Sequence, residues 1–251
     1  MSRGVLLHLS GPLQSWGGPK GGKVRGTHPV PTRSGVTGML AAVLGRPRGS
    51  DIADLEELVH LVRVDRPGKR VRDFQTVGGG LPKERTVVTA GGGRRGDALL
   101  FDSWYLADAA FTVALTGPGT VIAQVAGALR CPHFPPYLGR RSCPPATPVL
   151  IAESDDVEEL LVGMPLHRPK PEAPWGREAQ PVQVVYVAER APVAEPGRPA
   201  TRQVPDVGLV GRSWTSRSVW ESRRSHPAEQ CGGYGTEFVS ALTAWRRGIA
   251  A

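Results

Sequence analysis

Apolar and polar residues recur along the chain with spacings that predict both strands and helices. Short apolar runs predict strands at Gly4–Ser10, 61–65, 71–77, 104–116 and 182–188. Apolar residues at helical spacing follow Thr32, where Gly45 marks the stop, and follow Thr120 over 120–129. Ser50 is predicted to cap a shorter helical stretch between these two helices. The chain is therefore expected to fold as a mixture of helices and strands.

The order of these elements suggests a particular topology. Strand, helix, strand, strand and helix in succession predict an α+β fold with a ferredoxin-like βαββαβ core, the kind used by RNA-recognition modules. An insertion over 78–96 has low hydrophobicity and two glycine triplets, and its β-prone centre predicts a long hairpin. After 148 the sequence becomes rich in proline and turns. We expect a domain over 1–150 and a small β-rich C-terminal region with a tail over 151–251.

Length and composition narrow the class of protein. The 251 residues, 40% of them hydrophobic, are enough to bury a sizeable core. No membrane span is expected, because the longest charge-free apolar stretch, 109–129, is interrupted by Gly-Pro-Gly at 117–119. The apolar run at 5–9 is too short for a signal peptide, so a cytoplasmic location is predicted.

Three cysteines, Cys131, Cys143 and Cys231, favour reduced thiols over a disulfide framework, because their number is odd and none forms a CxxC pair. A zinc site built from Cys131, His133 and Cys143 is the alternative to ordinary packing, although paired ligands at zinc spacing are missing. We therefore expect no metal and no cofactor.

Positive charge is concentrated in two parts of the chain. The formal charge is +8, from 31 Lys and Arg against 23 Asp and Glu. Residues 1–50 hold seven of the basic residues and no acid, so they carry +7 and the remainder carries 24 − 23 = +1. A second acid-free window, 109–152, contains Arg130, Arg140 and Arg141. One interpretation is an arginine-rich composition spread over a solvated surface; the other, which explains the missing acids, is a pair of surfaces for a polyanion such as RNA.

Several segments in these windows carry residues suited to RNA. Thr32, Arg33, Ser34 and Gly35 stand at a predicted helix N-terminus, which either binds phosphate or is simply capped by Thr32 or Ser34. Trp16, after Gln14 and Ser15 in a glycine-flanked loop, would stack on a base or close over the core. In YLGRRS, Tyr137 and Gly139 precede Arg140, Arg141 and Ser142 with no acid nearby, which favours anion binding.

Catalytic motifs are largely missing from the sequence. There is no GxSxG, Walker, HExxH or strand-linked GxGxxG pattern. Metal-independent RNA cleavage is the enzyme alternative that stays open, with His28, Tyr137 and Arg25 as the residues that could supply a base, an acid and a cation.

Five segments together resemble a known family. They are LSGPLQSWGG, PTRSGVTGMLAAVLG, VRDFQTVGG, YLADAAFTVAL and PPYLGRRSCPPATPV, in this order. Over about 5–149 the chain resembles the Cas-five family of the RAMP group, and within it the CasD subunits of type I-E CRISPR Cascade. The resemblance implies a ferredoxin-like domain with a thumb at about 78–96 and a small β appendage.

The resemblance also implies a function in antiviral defence. Such a subunit is not catalytic; it holds the 5′ handle of CRISPR RNA (crRNA) and caps the surveillance complex beside its backbone subunit and its large PAM-recognising subunit. Its thumb displaces a guide nucleotide, and so affects target DNA indirectly. Relatives in another subtype process RNA, which keeps an endoribonuclease acting on CRISPR repeats as the alternative.

Site residues follow from the patterns and the resemblance together. The residues expected to contact RNA are Gln14, Ser15, Trp16, Lys20, Lys23, Arg25, Thr32, Arg33, Ser34, Gly35, Tyr137, Gly139, Arg140, Arg141 and Ser142, and those expected on the thumb are Lys83, Arg85, Arg94 and Arg95. Two departures from the family pattern occur. Ser103-Trp104 stands in place of the arginine that often precedes the YLxDA strand, and the tail after Ser225 has no recognised family counterpart.

Overall fold

The computed structural model describes residues 3–17, 20–21, 24–89, 91–94, 97–173, 175, 177–189, 200–207 and 214–250, with the backbone alone for 20–21, 83, 200–207, 214–217 and 250. The helices in these ranges are α1 Arg33–Val43, α2 Ala53–Glu56, α3 Gly119–Arg130, α4 Val157–Gly163 and α5 Gly235–Ala250. The strands are β1 Gly4–Ser10, β2 Leu13–Gln14, β3 Lys20–Gly21, β4 Val24–Arg25, β5 Val59–Arg66, β6 Lys69–Val77, β7 Leu99–Ala107, β8 Ala110–Thr116, β9 Leu150–Ser154, β10 Val182–Ala188, β11 Ala200–Val207 and β12 Trp214–His226. Within the described ranges, no helix has the length and apolar character needed to cross a membrane.

A seven-stranded antiparallel sheet forms the centre of the molecule. Its strand order is β11-β12-β10-β5-β8-β1-β9. The four adjacent strands β5, β8, β1 and β9 are connected in part through two helices, since α1 lies between β1 and β5 in the chain and α3 lies between β8 and β9. This arrangement confirms the predicted mixture of helices and an antiparallel sheet.

Both faces of the central sheet are covered, and β1 shows this most directly. Every residue of β1 is buried. Val5, Leu7 and Leu9 pack in one apolar cluster with residues of α1 and α3, whereas Leu6 packs in a second cluster with residues of α4 and α5. Because successive residues of a strand point to opposite faces, an almost unbroken apolar run is what a strand covered on both sides requires.

The second face also buries a polar network. His8 Nε2 lies 2.9 Å from His167 Nδ1, and His8 Nδ1 lies 3.3 Å from Thr112 Oγ1. The Thr112 hydroxyl donates to Asp65 at 2.7 Å, and the Arg63 guanidinium donates to the same carboxylate at 2.6 Å. An ionised carboxylate only accepts, so Thr112 must accept from His8 Nδ1–H, and His8 Nε2 must in turn accept from His167 Nδ1–H. The network therefore requires one defined tautomer of each histidine.

Helix α5 covers this network. The ring of Phe238 stacks on His167 with centroids 4.0 Å apart and an interplanar angle of 4°. Burial, the largest effect, lowers the pKa of His8 to about 3. Burial and the nearby Arg66 lower the pKa of His167 to about 4. Both rings are therefore held in their neutral form beneath α5 at neutral pH.

A second sheet forms around the hairpin of β6 and β7. These strands pair in register from Lys69↔Ala107 to Val77↔Leu99, and β2 and β4 pair with the other edge of β7. The single strand predicted over 104–116 is wrong, because β7 and β8 belong to different sheets. The chain turns between them at Asp108, whose φ of 56° lies in the left-handed region that aspartate tolerates. At the hairpin tip, a 3₁₀ turn spans Lys83–Arg85, and Val88 in the β-prone segment after it forms a bridge with Arg94.

The C-terminal strands continue the central sheet. β10 pairs with β5, and β12 and β11 follow it outward. The tail after Ser225 contains a helix that the sequence analysis did not assign, α5, although Phe238, Leu242 and Trp245 carry the spacing of a helix face. The division of the chain at about 150 remains a prediction.

Candidate nucleic-acid interface

The loop that carries the arginine pair is fixed by a close backbone contact. The Ser15 N–H donates to the Leu138 carbonyl at 3.0 Å, and the Leu138 N–H donates to the Cys143 carbonyl at 2.8 Å. Gly139 has a φ of 81°, and a Cβ at this position would overlap the Ser15 carbonyl oxygen. Only glycine satisfies both conditions, so it brings the arginines that follow it against the segment around Ser15.

Arg140 is held between an aromatic ring and a neighbouring strand. Its guanidinium carbon lies 4.7 Å from the ring centroid of Tyr105 in β7. Its Nη2 donates to the carbonyl of Arg25 at 3.2 Å and to that of Gly26 at 3.5 Å. The side chain is half-buried, so this cation is positioned while part of it still faces solvent.

Two more arginines lie beside it, and we call Arg25, Arg140 and Arg141 the arginine cluster. Arg25 is exposed in β4, with its guanidinium 5.2 Å from the ring centroid of Phe101. Arg141 is exposed, as is Ser142 after it. Of the ion pairs that the described residues form, none includes a member of the arginine cluster. The cluster thus presents positive charge that those ion pairs leave uncompensated.

The start of α1 adjoins this surface. Thr32 is the N-cap, and its Oγ1 accepts from the Gly35 N–H at 3.2 Å. A Cβ on Gly35 would lie 3.0 Å from the Trp16 ring, so this first turn of α1 packs closely on Trp16. Ser34 is half-buried in the same turn. Capping by Thr32 accounts for one backbone donor and leaves Ser34 as a candidate contact.

Trp16 does not offer a ring face to a base, contrary to one of the two interpretations of its loop. The residue is fully buried, and its Nε1–H donates to Gln14 Oε1 at 2.8 Å. Gln14 is also fully buried and donates to the carbonyls of Leu9 and Ala109. Ser15 is buried as well. The expected RNA contacts of these three side chains are corrected accordingly: they form the packed support of the interface.

Arg33 is also placed differently from the expectation. Only 9% of its side chain is exposed. Its guanidinium donates to the Leu58 carbonyl at 2.8 Å, to the Glu56 carbonyl and to the carboxylate of Glu189. The structure does not support the predicted phosphate contact of Arg33, because its side chain is largely buried, its charge is balanced by Glu189 and three of its five N–H donors are used within the protein.

Among the remaining predicted residues, the structure describes some side chains and not others. Lys23 and Arg95 lie outside the described residues, and only the backbone of Lys20 and Lys83 is described. Tyr137 is half-buried, with its hydroxyl 3.5 Å from the Gly38 carbonyl.

The thumb residues whose side chains are described differ in their contacts. Arg85 is exposed at the hairpin tip. Arg94 donates to the carbonyls of Glu84 and Thr86, which fold the tip back on itself.

Sequence reasoning missed Tyr105 and Phe101. Together with Ser103, they occupy every second position of β7, so the three side chains point to the same face of the strand. The prediction began this strand at 104, which left Phe101 and Ser103 outside it. Apolar and aromatic residues at 99, 101 and 105 are the signal that places its start earlier.

The zinc alternative finds no support in the described residues, where no group of three or more His, Cys, Asp or Glu could hold a metal ion. Cys131 is exposed and Cys143 is buried. Burial raises the pKa of the Cys143 thiol. Cys143 therefore contributes to packing under the loop that carries the arginine pair.

Comparisons with known proteins agree on one family. A family model described as CRISPR-associated protein (Cas_Cas5) matches residues 4–226. The CRISPR system Cascade subunit CasD of Escherichia coli (strain K12) is 37% identical over 182 residues, which are 63% of this chain and 75% of that protein.

Solved structures extend the similarity to the fold. A chain in a structure described as a CRISPR RNA-guided surveillance complex is 38% identical with a TM-score of 0.81, over 96% of this chain and 98% of the other. Another, described as the crystal structure of a Cas protein, is 28% identical with a TM-score of 0.59, over 92% and 98%. The chain belongs to the Cas5 family of CRISPR-associated proteins.

Proposed function

We propose that this protein is the CasD-type subunit of a type I-E Cascade complex and binds the 5′ handle of crRNA without cleaving it. The observation that carries the proposal is the arginine cluster, three neighbouring cations that none of the ion pairs described above includes. The similarity to the CasD subunit supports the assignment to Cascade.

The chemistry of the cluster suits a polynucleotide end. Arginine donates several N–H groups in a fixed fork that matches phosphate oxygens, and fixed cations bind RNA largely through its backbone. Arg140 is positioned and half-buried, whereas Arg25 and Arg141 extend into solvent. We infer that these three residues hold consecutive handle phosphates and that Ser34, Tyr137 and Ser142 contact the handle beside them.

The proposal includes the architecture that the resemblance implies. The order β5-β8-β1-β9 with α1 and α3 as crossovers supports a ferredoxin-like βαββαβ core. The β6–β7 hairpin, with its tip over 78–98, supports a thumb that bears Arg85 and Arg94. We assign this thumb a contact with the guide that affects target DNA indirectly, and we propose that the protein caps the complex next to the backbone subunit and the large PAM-recognising subunit.

The experiment is a binding titration of the full chain with a fluorescent RNA oligonucleotide that carries the crRNA 5′ handle, repeated at several salt concentrations. The variant Arg140→Ala/Arg141→Ala is expected to bind at least about tenfold more weakly. The plot of log affinity against log salt has a negative slope, and its steepness should decrease by about 1.4, since each lost contact with single-stranded RNA removes about 0.7.

A matched control is available on α5. Arg246 and Arg247 are also adjacent and exposed, so Arg246→Ala/Arg247→Ala removes the same charge away from the proposed site. Equal losses of affinity in both double variants would show a nonspecific effect of net charge and contradict the proposal. Discrete cleavage of a labelled repeat transcript without metal would instead favour the endoribonuclease.

A further inference from the structure

We infer that Tyr105 and Phe101 of β7 are positioning residues for RNA binding, because they hold the guanidinium groups of Arg140 and Arg25 in place before RNA arrives. The inference rests on the proposed function, and it assigns to two aromatic residues of the hairpin a role in that site.

The geometry gives each arginine its own aromatic surface. Phe101, Ser103 and Tyr105 lie on one face of β7, because they occupy alternate positions of a strand. Tyr105 lies under Arg140 at 4.7 Å and Phe101 lies under Arg25 at 5.2 Å. Ser103, between the rings, is opposite Arg25 in the parallel pairing of β4 with β7. One strand face therefore supports two cations from different parts of the chain.

The two arginines are also joined to each other. Arg140 Nη2 donates to the carbonyl oxygen of Arg25, so the backbone of one cation holds the side chain of the other. A guanidinium has five N–H donors. With Nη2 directed to the Arg25 and Gly26 carbonyls, Nε and Nη1 of Arg140 remain to donate three hydrogen bonds to phosphate.

Positioning of this kind raises affinity without a direct RNA contact. A free arginine side chain loses rotamer freedom when it binds phosphate, and a side chain already fixed by an aromatic ring loses less. The attraction between a cation and the face of a ring is stronger when the pair is shielded from water. Tyr105 is only 7% exposed, so it is shielded and itself offers little surface to RNA.

The test compares variants of the full chain in the handle-RNA titration. Tyr105→Leu removes the ring but keeps an apolar side chain, and it should weaken binding roughly 3- to 10-fold. Tyr105→Phe keeps the ring and should stay within about twofold of the unmodified protein. Tyr105→Leu should also make the salt dependence less steep, by up to about 0.7, because a displaced Arg140 no longer replaces a counterion. A purely structural role of Tyr105 would leave that slope unchanged.

A double-mutant cycle separates the outcomes. Tyr105→Leu combined with Arg140→Ala should bind no more weakly than Arg140→Ala alone, and a full additional loss would overturn the inference. If Arg140→Ala weakens binding and Tyr105→Leu does not, the inference fails while the proposed function stands. If Arg140→Ala itself binds like the unmodified protein, the proposed function fails at this residue.

The half-buried Phe101 provides a second, independent variant, which decides the question if Tyr105→Leu does not fold. Phe101→Leu should reproduce part of the loss caused by Arg25→Ala and add nothing to it. If Arg25→Ala binds handle RNA weakly and Phe101→Leu binds it like the unmodified protein, the inference is overturned for this pair. Melting temperatures of all variants show whether each remains folded.

Discussion

The guanidinium of Arg33 pairs with the carboxylate of Glu189, which is 156 residues farther along the chain. Arg33 begins α1 and Glu189 follows directly after β10, so the ion pair joins the first helix to the C-terminal part of the central sheet. Both side chains are largely buried, with 9% and 13% of their surface exposed. Arg33 is thus paired within the protein and is not available to the candidate RNA interface, although no acid lies near it in the sequence.

Breaking this pair should affect stability and not RNA binding. Glu189→Gln leaves the buried charge of Arg33 without its counter-charge, which should lower the free energy of unfolding by roughly 1–3 kcal/mol. Urea denaturation measures the change, and the handle-RNA titration should show unchanged affinity. Glu158→Gln, at an exposed position of α4, serves as the control with little effect. A large loss of RNA affinity in folded Glu189→Gln would return Arg33 to the interface.

Gly139→Ala should displace the loop that carries Arg140 and Arg141. The new methyl group would overlap the Ser15 carbonyl, and the residue would need a left-handed backbone as well. We expect a loss of roughly 3 kcal/mol or more in stability and a loss of handle-RNA binding.

Gly49→Ala is the matched control for Gly139→Ala. Gly49 has a φ of 91° with nothing within 4 Å of its Cβ position, so only the backbone cost of about 1 kcal/mol remains. Thermal melting and the RNA titration measure both variants. Similar effects of the two substitutions would contradict the importance of the Ser15 contact.

Stability should fall as the pH decreases from about 6.5 towards about 4. The pKa of His167 is lowered from 6.5 to about 4 in the folded protein, and that of His8 to about 3. Between pH 6.5 and the lowered pKa of each ring, the unfolded chain binds a proton that the folded chain does not. Stability therefore rises with pH in this range and is lost on acidification. Each histidine contributes a slope of up to about 1.4 kcal/mol per pH unit in this window.

His167→Gln tests the pH dependence. Its free energy of unfolding, measured by urea titration at several pH values, should change less steeply between pH 6.5 and pH 4 than that of the unmodified protein. His133→Gln is the comparison variant, because His133 is exposed. An unchanged slope in His167→Gln would show that this ring does not carry the acid sensitivity.

Local features of the sequence were enough to predict several elements. Thr32 caps α1 and a strand forms over Gly4–Ser10, both as the short-range patterns indicate. These features depend on neighbouring residues through capping, alternation and backbone conformation, which a sequence shows directly.

Errors arose where distant residues decide the outcome. Trp16 is buried because Gly35 and Gln14 pack against it, and Arg33 is neutralised by an acid that the chain brings back from β10. The acid-free windows show that no acid lies close to these arginines in the sequence, but they do not show which acids lie close to them in the folded protein. Among the residues of those windows whose side chains are described, Arg25, Arg140 and Arg141 form the cluster on which the proposed function rests.

The position of α5 in the chain has a consequence for synthesis. Leu6 of β1 and Tyr186 of β10 belong to the apolar cluster that α5 helps to cover, and α5 follows every strand of the sheet in chain order. During translation the part of this face that α5 covers stays open to water until α5 emerges, which is a state prone to aggregation. The nascent protein thus depends on α5 to close this face of the sheet.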